Sequence, residues 1–313
     1  MGLSRRLIES FVCGVLFLGA VTAARADAAS GLAHPALWRI ENGFHQVYVF
    51  GSFHILKKGV SWVTPTIVAA MEKADAFVFE VPVTEKAPMA DAQDYIDKQG
   101  YLPEGKTLSG MLSEQGLQAY QAVLAKLPLR PGEMDKLHPW LAQLTLTSSF
   151  YDGQSLSVIN GADVRILGYA VGHRKPVRYL ETPRQQLEFF AESAGDFEVT
   201  SFESMVESLR DTPSSIDSAT AAWVSGDVDG LSMGLQHALE RNPMAKKILL
   251  DDRNAAWAQE IEQMLSDSKT YFVTVGVGHL GGPGSVFEIL CSKGYKIERL
   301  PTANEAVDPA CPK

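Results

Sequence analysis

The sequence predicts an α/β fold of mixed α+β character. A central β-sheet is expected to carry two strand–Gly-x-x-His–helix–strand units at the chain ends, with a largely helical section between them. Three observations predict it. The run Val47-Tyr48-Val49-Phe50 ends in Gly51-Ser52-Phe53-His54. The run Phe272-Val273-Thr274-Val275 ends in Gly276-Val277-Gly278-His279. Between them, from Asp91 to about Asp267, helical periodicity dominates.

Leu37–Glu41 and Val47–Phe50 are rich in β-formers and flank Asn42-Gly43, which reads as a hairpin. Thr64-Pro65 opens a helix to about Lys73, with Pro at its first position. Ala76–Val81 is a near-continuous apolar run, as in a strand buried on both faces. Helices are expected over Glu114–Leu127, Pro131 to about Tyr151, and Ala162–Gly172. A strand at Val177–Leu180 interrupts them. Thr182, Pro183 and Gln185 then give a cap, a first-position proline and a capping-box partner. The chain returns to strand–helix–strand at Tyr271–Val275, Gly284–Ser292 and Tyr295–Leu300. Each end therefore reads as a βαβ unit, and crossovers of this length favour parallel pairs. No low-complexity linker divides the chain, so residues 27–313 are expected to form one domain.

Residues 1–26 read as a signal peptide. Arg5 and Arg6 precede an apolar stretch, Phe11 to Val21, that falls short of the roughly 20 residues needed to span a bilayer. Ala24-Arg25-Ala26 supplies a small-x-small cleavage pattern. Cleavage after Ala26 predicts a periplasmic or secreted protein with no stable membrane insertion. Removing three arginines and one glutamate takes the formal charge of −9 to −11. An acidic surface argues against nucleic acid as a partner. Cys291 and Cys311 remain, and export permits a disulfide between them. There is no Cys-x-x-Cys, and hence no support for a zinc ribbon or a thioredoxin-like site.

His54 and His279 each stand three residues beyond a glycine at a strand end. A glycine there permits a sharp turn and a positive φ. If both strands share a sheet, the two imidazoles can converge. Glu80 ends the apolar run Ala76-Phe77-Val78-Phe79, where a carboxylate is costly unless paired or ligated. Two imidazoles and one carboxylate can make the first shell of a divalent metal, with positions open to water and substrate. Glu80 can serve as ligand or as general base. On a helical period Leu250, Trp257, Ile261 and Met264 form a stripe that also contains Arg253 and Asn254. Arg253 can neutralise Glu80 or stabilise an oxyanion, or it can lay its stem on the core and reach water.

Gly276-x-Gly278-x-x-Gly281 formally matches a dinucleotide fingerprint, but close backbone approach around His279 explains the glycines better. Ser52 has no recognisable activating base. His34, His45, His138, His173 and His237 show no partner pattern, and His138, ahead of Pro139-Trp140, reads as a structural residue on a helix.

These segments resemble the TraB/GumN family, which is related to the Tiki metalloproteases. The resemblance takes in Leu37-Trp38-Arg39-Ile40, Val49 to His54 and Ala74 to Glu80. It continues through Gly161-Ala162-Asp163, Leu180-Glu181-Thr182 with Gln186, and Trp223 with Gly226-Asp227. It closes with Arg253-Asn254-x-x-Trp257 and Val275 to Gly282. Ser52 stands where family members commonly have Thr, which keeps the hydroxyl. The resemblance implies a metal-dependent hydrolase, peptidase-like in the Tiki branch, with His54, His279 and Glu80 at the metal and Arg253 stabilising charge. Zn, Mn or Co would serve as the cofactor, and a peptide or small molecule as substrate. The broader superfamily is also similar to haem-binding lipoproteins and to erythromycin-esterase-like hydrolases. Two alternatives therefore stand beside the first: a haem- or small-ligand-binding protein using the same cleft, and a metal-free esterase-like hydrolase.

Overall fold

Leu37–Asn42 (β1) and His45–Ser52 (β2) pair antiparallel around Asn42-Gly43, with Leu37 opposite Phe50 and Asn42 opposite His45. Gly43 takes the positive φ that the tight turn requires (63°). The structure is a computed structural model that describes residues 33–301 apart from Phe44, Val83, Thr84, Ser155, Asp211, Thr212 and Arg241. The expected signal peptide and Cys311 lie outside the described residues. Cys291 is disulfide-bonded.

The remaining strands are Leu56–Lys57 (β3), Ala76–Phe79 (β4), Leu156–Ser157 (β5), Val177–Tyr179 (β6), Tyr271–Gly276 (β7) and Lys296–Leu300 (β8). Six of them form one mixed sheet in the order β6-β4-β7-β2-β1-β8, while β3 and β5 pair separately. β6, β4, β7 and β2 run parallel to one another, and β1 runs antiparallel to both β2 and β8. The α/β class is as expected. The two βαβ units differ from expectation in one respect: neither pairs its own strands. β7 inserts between β2 and β4, and β8 pairs with β1. Burial accounts for the insertion. Every residue of β7 and of β4 is buried, so both need cover on both faces and neighbours on both edges. This swap brings both Gly-x-x-His turns and Glu80 to the ends of three adjacent strands.

The helices longer than one turn are Pro65–Lys73 (α1), Lys86–Gln99 (α2), Glu114–Leu124 (α3), Pro139–Gly153 (α4), Ala162–Gly172 (α5), Pro183–Ala194 (α6), Glu198–Arg210 (α7), Pro213–Val224 (α8), Val228–Leu239 (α9), Asp252–Met264 (α10) and Val286–Ser292 (α11). Thr64 caps α1 through Ile67 N, and Thr182 with Gln185 forms a full capping box on α6. The helix expected from Pro131 breaks into a single turn, Pro131–Met134, and then α4. Pro139 cannot continue a helix from the preceding turn but suits the first position of a new one. His138 is accordingly the N-cap residue of α4. Aromatic side chains pack under the β2 end: Phe50 stacks on Trp62 and on Phe272, and Phe53 lies against Trp223. Among the described residues no helix is long and apolar enough to cross a membrane.

Candidate functional site

Parallel pairing places Ser52 opposite Gly276 and Phe79 opposite Thr274. The C-terminal ends of β2, β7 and β4 therefore lie side by side, where open α/β sheets usually hold ligands. β2 leads into the turn of His54. β7 leads into a 3₁₀ turn, Val277–His279, and Glu80 follows β4 directly.

Neither turn glycine owes its place to positive φ. Close approach is the reason. A Cβ on Gly51 would stand 3.1 Å from Val277 Cγ2, and one on Gly278 would stand 2.6 Å from Leu235 Cδ2. A Cβ on Gly276 would stand 2.9 Å from His54 Nε2, 3.3 Å from Glu80 Oε1 and 3.6 Å from His279 Cδ2. The missing side chain thus leaves a slot walled by the two histidines and the glutamate.

Each imidazole is held from behind. His54 Nδ1 lies 2.9 Å from Asp163 Oδ2. A carboxylate only accepts, so Nδ1 carries the proton. Asp163 reaches His54 because Ala162 N donates to Phe53 O (3.1 Å), docking the start of α5 on the loop after β2. His279 Nδ1 lies 2.7 Å from Asn254 Oδ1, and Asn254 Nδ2 donates to Gly284 O at 2.8 Å. That second bond fixes the amide orientation, so His279 Nδ1 is also the donor. Both Nε2 atoms are thereby left for the slot: His54 Nε2 stands 3.8 Å from Glu80 Oε1.

Glu80 is buried and its two oxygens are held differently. Oε1 accepts from Gly276 N (2.6 Å) and Oε2 from Arg253 NH2 (3.1 Å). Arg253 projects from the first turn of α10, which continues a π-helical turn, Lys247–Asp251. Its guanidinium also binds Glu181 through two bonds, Nε to Oε1 (2.7 Å) and NH2 to Oε2 (2.9 Å), and lies over Trp257. Arg253, Asn254 and Trp257 are all buried on the expected stripe. The Arg253 head is therefore held against Glu80 and Glu181 and does not reach out to water.

Burial works against charge on His54, but the Asp163 carboxylate with its hydrogen bond, aided by Glu80, outweighs it and raises the imidazole to about 9. The pairing holds the Asp163 carboxyl below its usual range against its own burial. His279 is pushed well below the usual 6.5 by burial first and by the Arg253 charge second. The two motif histidines are therefore electrostatic opposites. Among the described residues no three His, Cys, Asp or Glu side chains close on one point at ligand distances. Arg253 NH1 stands 3.4 Å from His279 Nε2.

A sequence model of the TraB/PrgY/gumN family matches residues 36–299. The chain belongs to the TraB/PrgY/gumN family. No curated protein and no solved structure matches it.

In this TraB/PrgY/gumN chain the structure brings together His54, His279, Glu80 and Arg253. Asp163, Glu181, Asn254 and Trp257 join them, although no role was expected of Asp163 or Glu181. Their signals were present only as short runs, Gly161-Ala162-Asp163 and the helix start after Glu181. Ser52 is fully buried on β2. The second turn is braced by α9, where Ser232 Oγ donates to Val277 O (3.3 Å) and accepts from Gly281 N (3.2 Å). The glycines of the dinucleotide-like run are thus spent on packing against Leu235, Ser232 and His54.

Proposed function

We propose that the chain is an exported metal-dependent hydrolase, peptidase-like, with its site at the Gly276 slot. One observation carries this reading: both imidazoles donate from Nδ1 to an outer acceptor, which leaves Nε2 of His54 3.8 Å from Glu80 Oε1 and Nε2 of His279 with only a long 3.4 Å contact to Arg253 NH1. Such outer bonds are what orient histidine ligands. The donor types, two imidazole nitrogens and one carboxylate oxygen, fit a divalent cation such as Zn, Mn or Co. Charge supports the same reading. Glu80 and Glu181 share the single Arg253 guanidinium and Asp163 pairs with the His54 imidazole, so three carboxylates face at most two cations and leave a formal −1. A buried excess of negative charge favours a cation.

His54, His279 and Glu80 would hold the ion. Bound there, it would lower the pKa of water and polarise a carbonyl. The chain's own residues do the rest. Glu80, within reach of the slot, accepts the proton of the attacking water. Arg253 meets the negative charge that develops on the carbonyl oxygen. Asp163 and Asn254 keep the imidazoles in one tautomer.

A metal-free hydrolase is the second reading, favoured by Arg253, which already supplies a cation beside Glu80, and by the burial that, with Arg253, keeps His279 neutral as a base. The haem-binding alternative has less support, because His279 is 2% exposed and boxed in by Trp257, Arg253 and Asn254. The test is the metal content of residues 27–313 beside His54→Ala and His279→Ala, with peptide hydrolysis before and after chelation. Stoichiometric metal lost in both variants, with hydrolysis that stops on chelation, is expected. Hydrolysis that survives chelation moves the assignment to the metal-free reading.

A further inference from the structure

We propose that Glu181 is a positioning residue: it fixes the Arg253 guanidinium so that one NH1 hydrogen is presented to the carbonyl oxygen of a substrate lying over Gly276. This inference rests on the hydrolase reading above.

Glu181 is buried, yet its carboxylate is saturated. Oε1 accepts from Arg253 Nε (2.7 Å) and Trp257 Nε1 (3.0 Å). Oε2 accepts from Arg253 NH2 (2.9 Å) and Gln186 Nε2 (2.9 Å). A carboxylate offers about four lone-pair sites, and here all are used. Glu181 therefore has nothing left with which to ligate an ion or take a proton. Glu80, by contrast, accepts only one bond on each oxygen. What Glu181 does for the slot, it does through Arg253.

The five N–H groups of Arg253 can be placed one by one. Nε goes to Glu181. NH2 is divided between Glu181 and Glu80 (3.1 Å). One NH1 hydrogen goes to Leu249 O (3.2 Å), and the other makes only a long 3.4 Å contact with His279 Nε2. A contact that long is weak. Once His279 Nε2 is engaged by an ion, that hydrogen is the one free donor on the guanidinium.

The two carboxylates that share Arg253 are also tied through the backbone. Glu181 N donates to Glu80 O (2.8 Å) and Leu180 N to Phe79 O (2.9 Å), so the β4–β6 ladder continues past both strand ends. Arg253 is thus clamped at a set distance from Glu80, with the Trp257 ring 4.6 Å from its centre. As water adds to the carbonyl carbon, the π pair moves onto oxygen, where the NH1 hydrogen receives it. Collapse breaks the C–N bond, and the water's proton passes by way of Glu80 to the leaving amine. A donor held ready in this way contributes most where charge develops.

The test uses residues 27–313 loaded with Co(II), and a fluorogenic peptide that the wild type cleaves. Glu181→Gln keeps the shape and removes the charge. The expected result is a kcat lower by at least about tenfold, with KM and Co(II) affinity within about threefold of wild type. Gln186→Leu removes one donor to Glu181 and leaves every charge in place. It is expected to keep the wild-type melting temperature and to lower kcat by a smaller factor, which covers the case in which Glu181→Gln does not fold. Unchanged kcat in a folded Glu181→Gln, or in Gln186→Leu, overturns the inference. A wild type that binds no Co(II) and cleaves no peptide sinks the hydrolase reading instead. Positioning is then read from the Arg253 Nε–H resonance in a ¹H–¹⁵N spectrum. Slow exchange in the wild type and fast exchange in Gln186→Leu and Glu181→Gln sustain it; equal exchange in all three overturns it.

Discussion

Glu80 Oε1 and the backbone N–H of Gly276 are joined by a 2.6 Å hydrogen bond across the ends of two adjacent strands. The bond stands beside the empty position where any other residue would place a Cβ. Gly276 has φ −54°, which every residue adopts, so Gly276→Ala adds volume without backbone strain. The added methyl group meets the tip of His54 at 2.9 Å and Glu80 Oε1 at 3.3 Å. The expected outcome is a folded protein, destabilised by about 1–2 kcal/mol, that neither binds Co(II) nor hydrolyses peptides. Thermal melting and cobalt titration check it, and full cobalt binding by the variant would remove the slot from the argument.

Much of this arrangement was legible in the sequence because it is local. The Asn42-Gly43 hairpin, the Thr182–Gln185 capping box and the stripe of Arg253, Asn254 and Trp257 each depend on residues a few positions apart. The convergence of His54, His279 and Glu80 was legible as a condition, that both strands share a sheet. The strand order was not: nothing near β7 says that it lies between β2 and β4. Asp163 and Glu181 escaped for the same reason. Asp163 acts on His54 over a separation of 109 residues, and Glu181 on Arg253 over 72. A buried carboxylate whose partner is that distant reads in sequence as an ordinary helix-start acid.

The His54–Asp163 pair predicts a pH dependence of stability in the metal-free protein. His54 has a folded pKa of about 9 against the usual 6.5, so its contribution is complete below 6.5 and is lost as pH rises through 9. The depressed Asp163 carboxyl contributes above its usual 3.8 and loses that contribution as pH falls below it. Asp163→Asn removes both contributions. Urea unfolding in the presence of a chelator is expected to show the widest gap between wild type and variant from about pH 4 to 6.5. That gap is on the order of 2 kcal/mol and narrows toward pH 9. His279 runs in the opposite direction, favouring the fold above 6.5, but it is common to both proteins and cancels in the difference. A gap that stays constant from pH 5 to 9 rules out the charged pair.

Arg253 predicts a non-additive pair. Arg253→Met leaves Glu181 and Glu80 buried without their cation, a change expected to cost about 3–5 kcal/mol. Adding Glu181→Leu removes one of the stranded charges, so the double variant is expected to be more stable than Arg253→Met alone. Chemical denaturation of the two variants decides it. A double variant at or below the stability of the single one would mean that Glu181 is not the principal partner of the guanidinium.

Gly161 tests whether the loop carrying His54 depends on the start of α5. Gly161 has φ −57°, so Ala brings no conformational strain there either. Its Cβ would stand 2.1 Å from His54 O and 2.8 Å from the His54 carbonyl carbon. Those are backbone atoms and cannot swing aside as a side chain can, so either the His54 turn or the first turn of α5 must move. Each movement breaks the Ala162–Phe53 and Asp163–His54 contacts that set the imidazole. Gly161→Ala is therefore expected to lower stability by about 1–3 kcal/mol and to weaken Co(II) binding by more than tenfold. Gly168→Ala serves as the control, because it lies on the same helix with nothing within 4 Å of its Cβ. It is expected to hold or raise stability, since Ala replaces Gly in a helix interior. Equal cobalt affinity in the two variants would mean that α5 does not position His54, and that the His54–Asp163 bond forms without help from the packing of the loop.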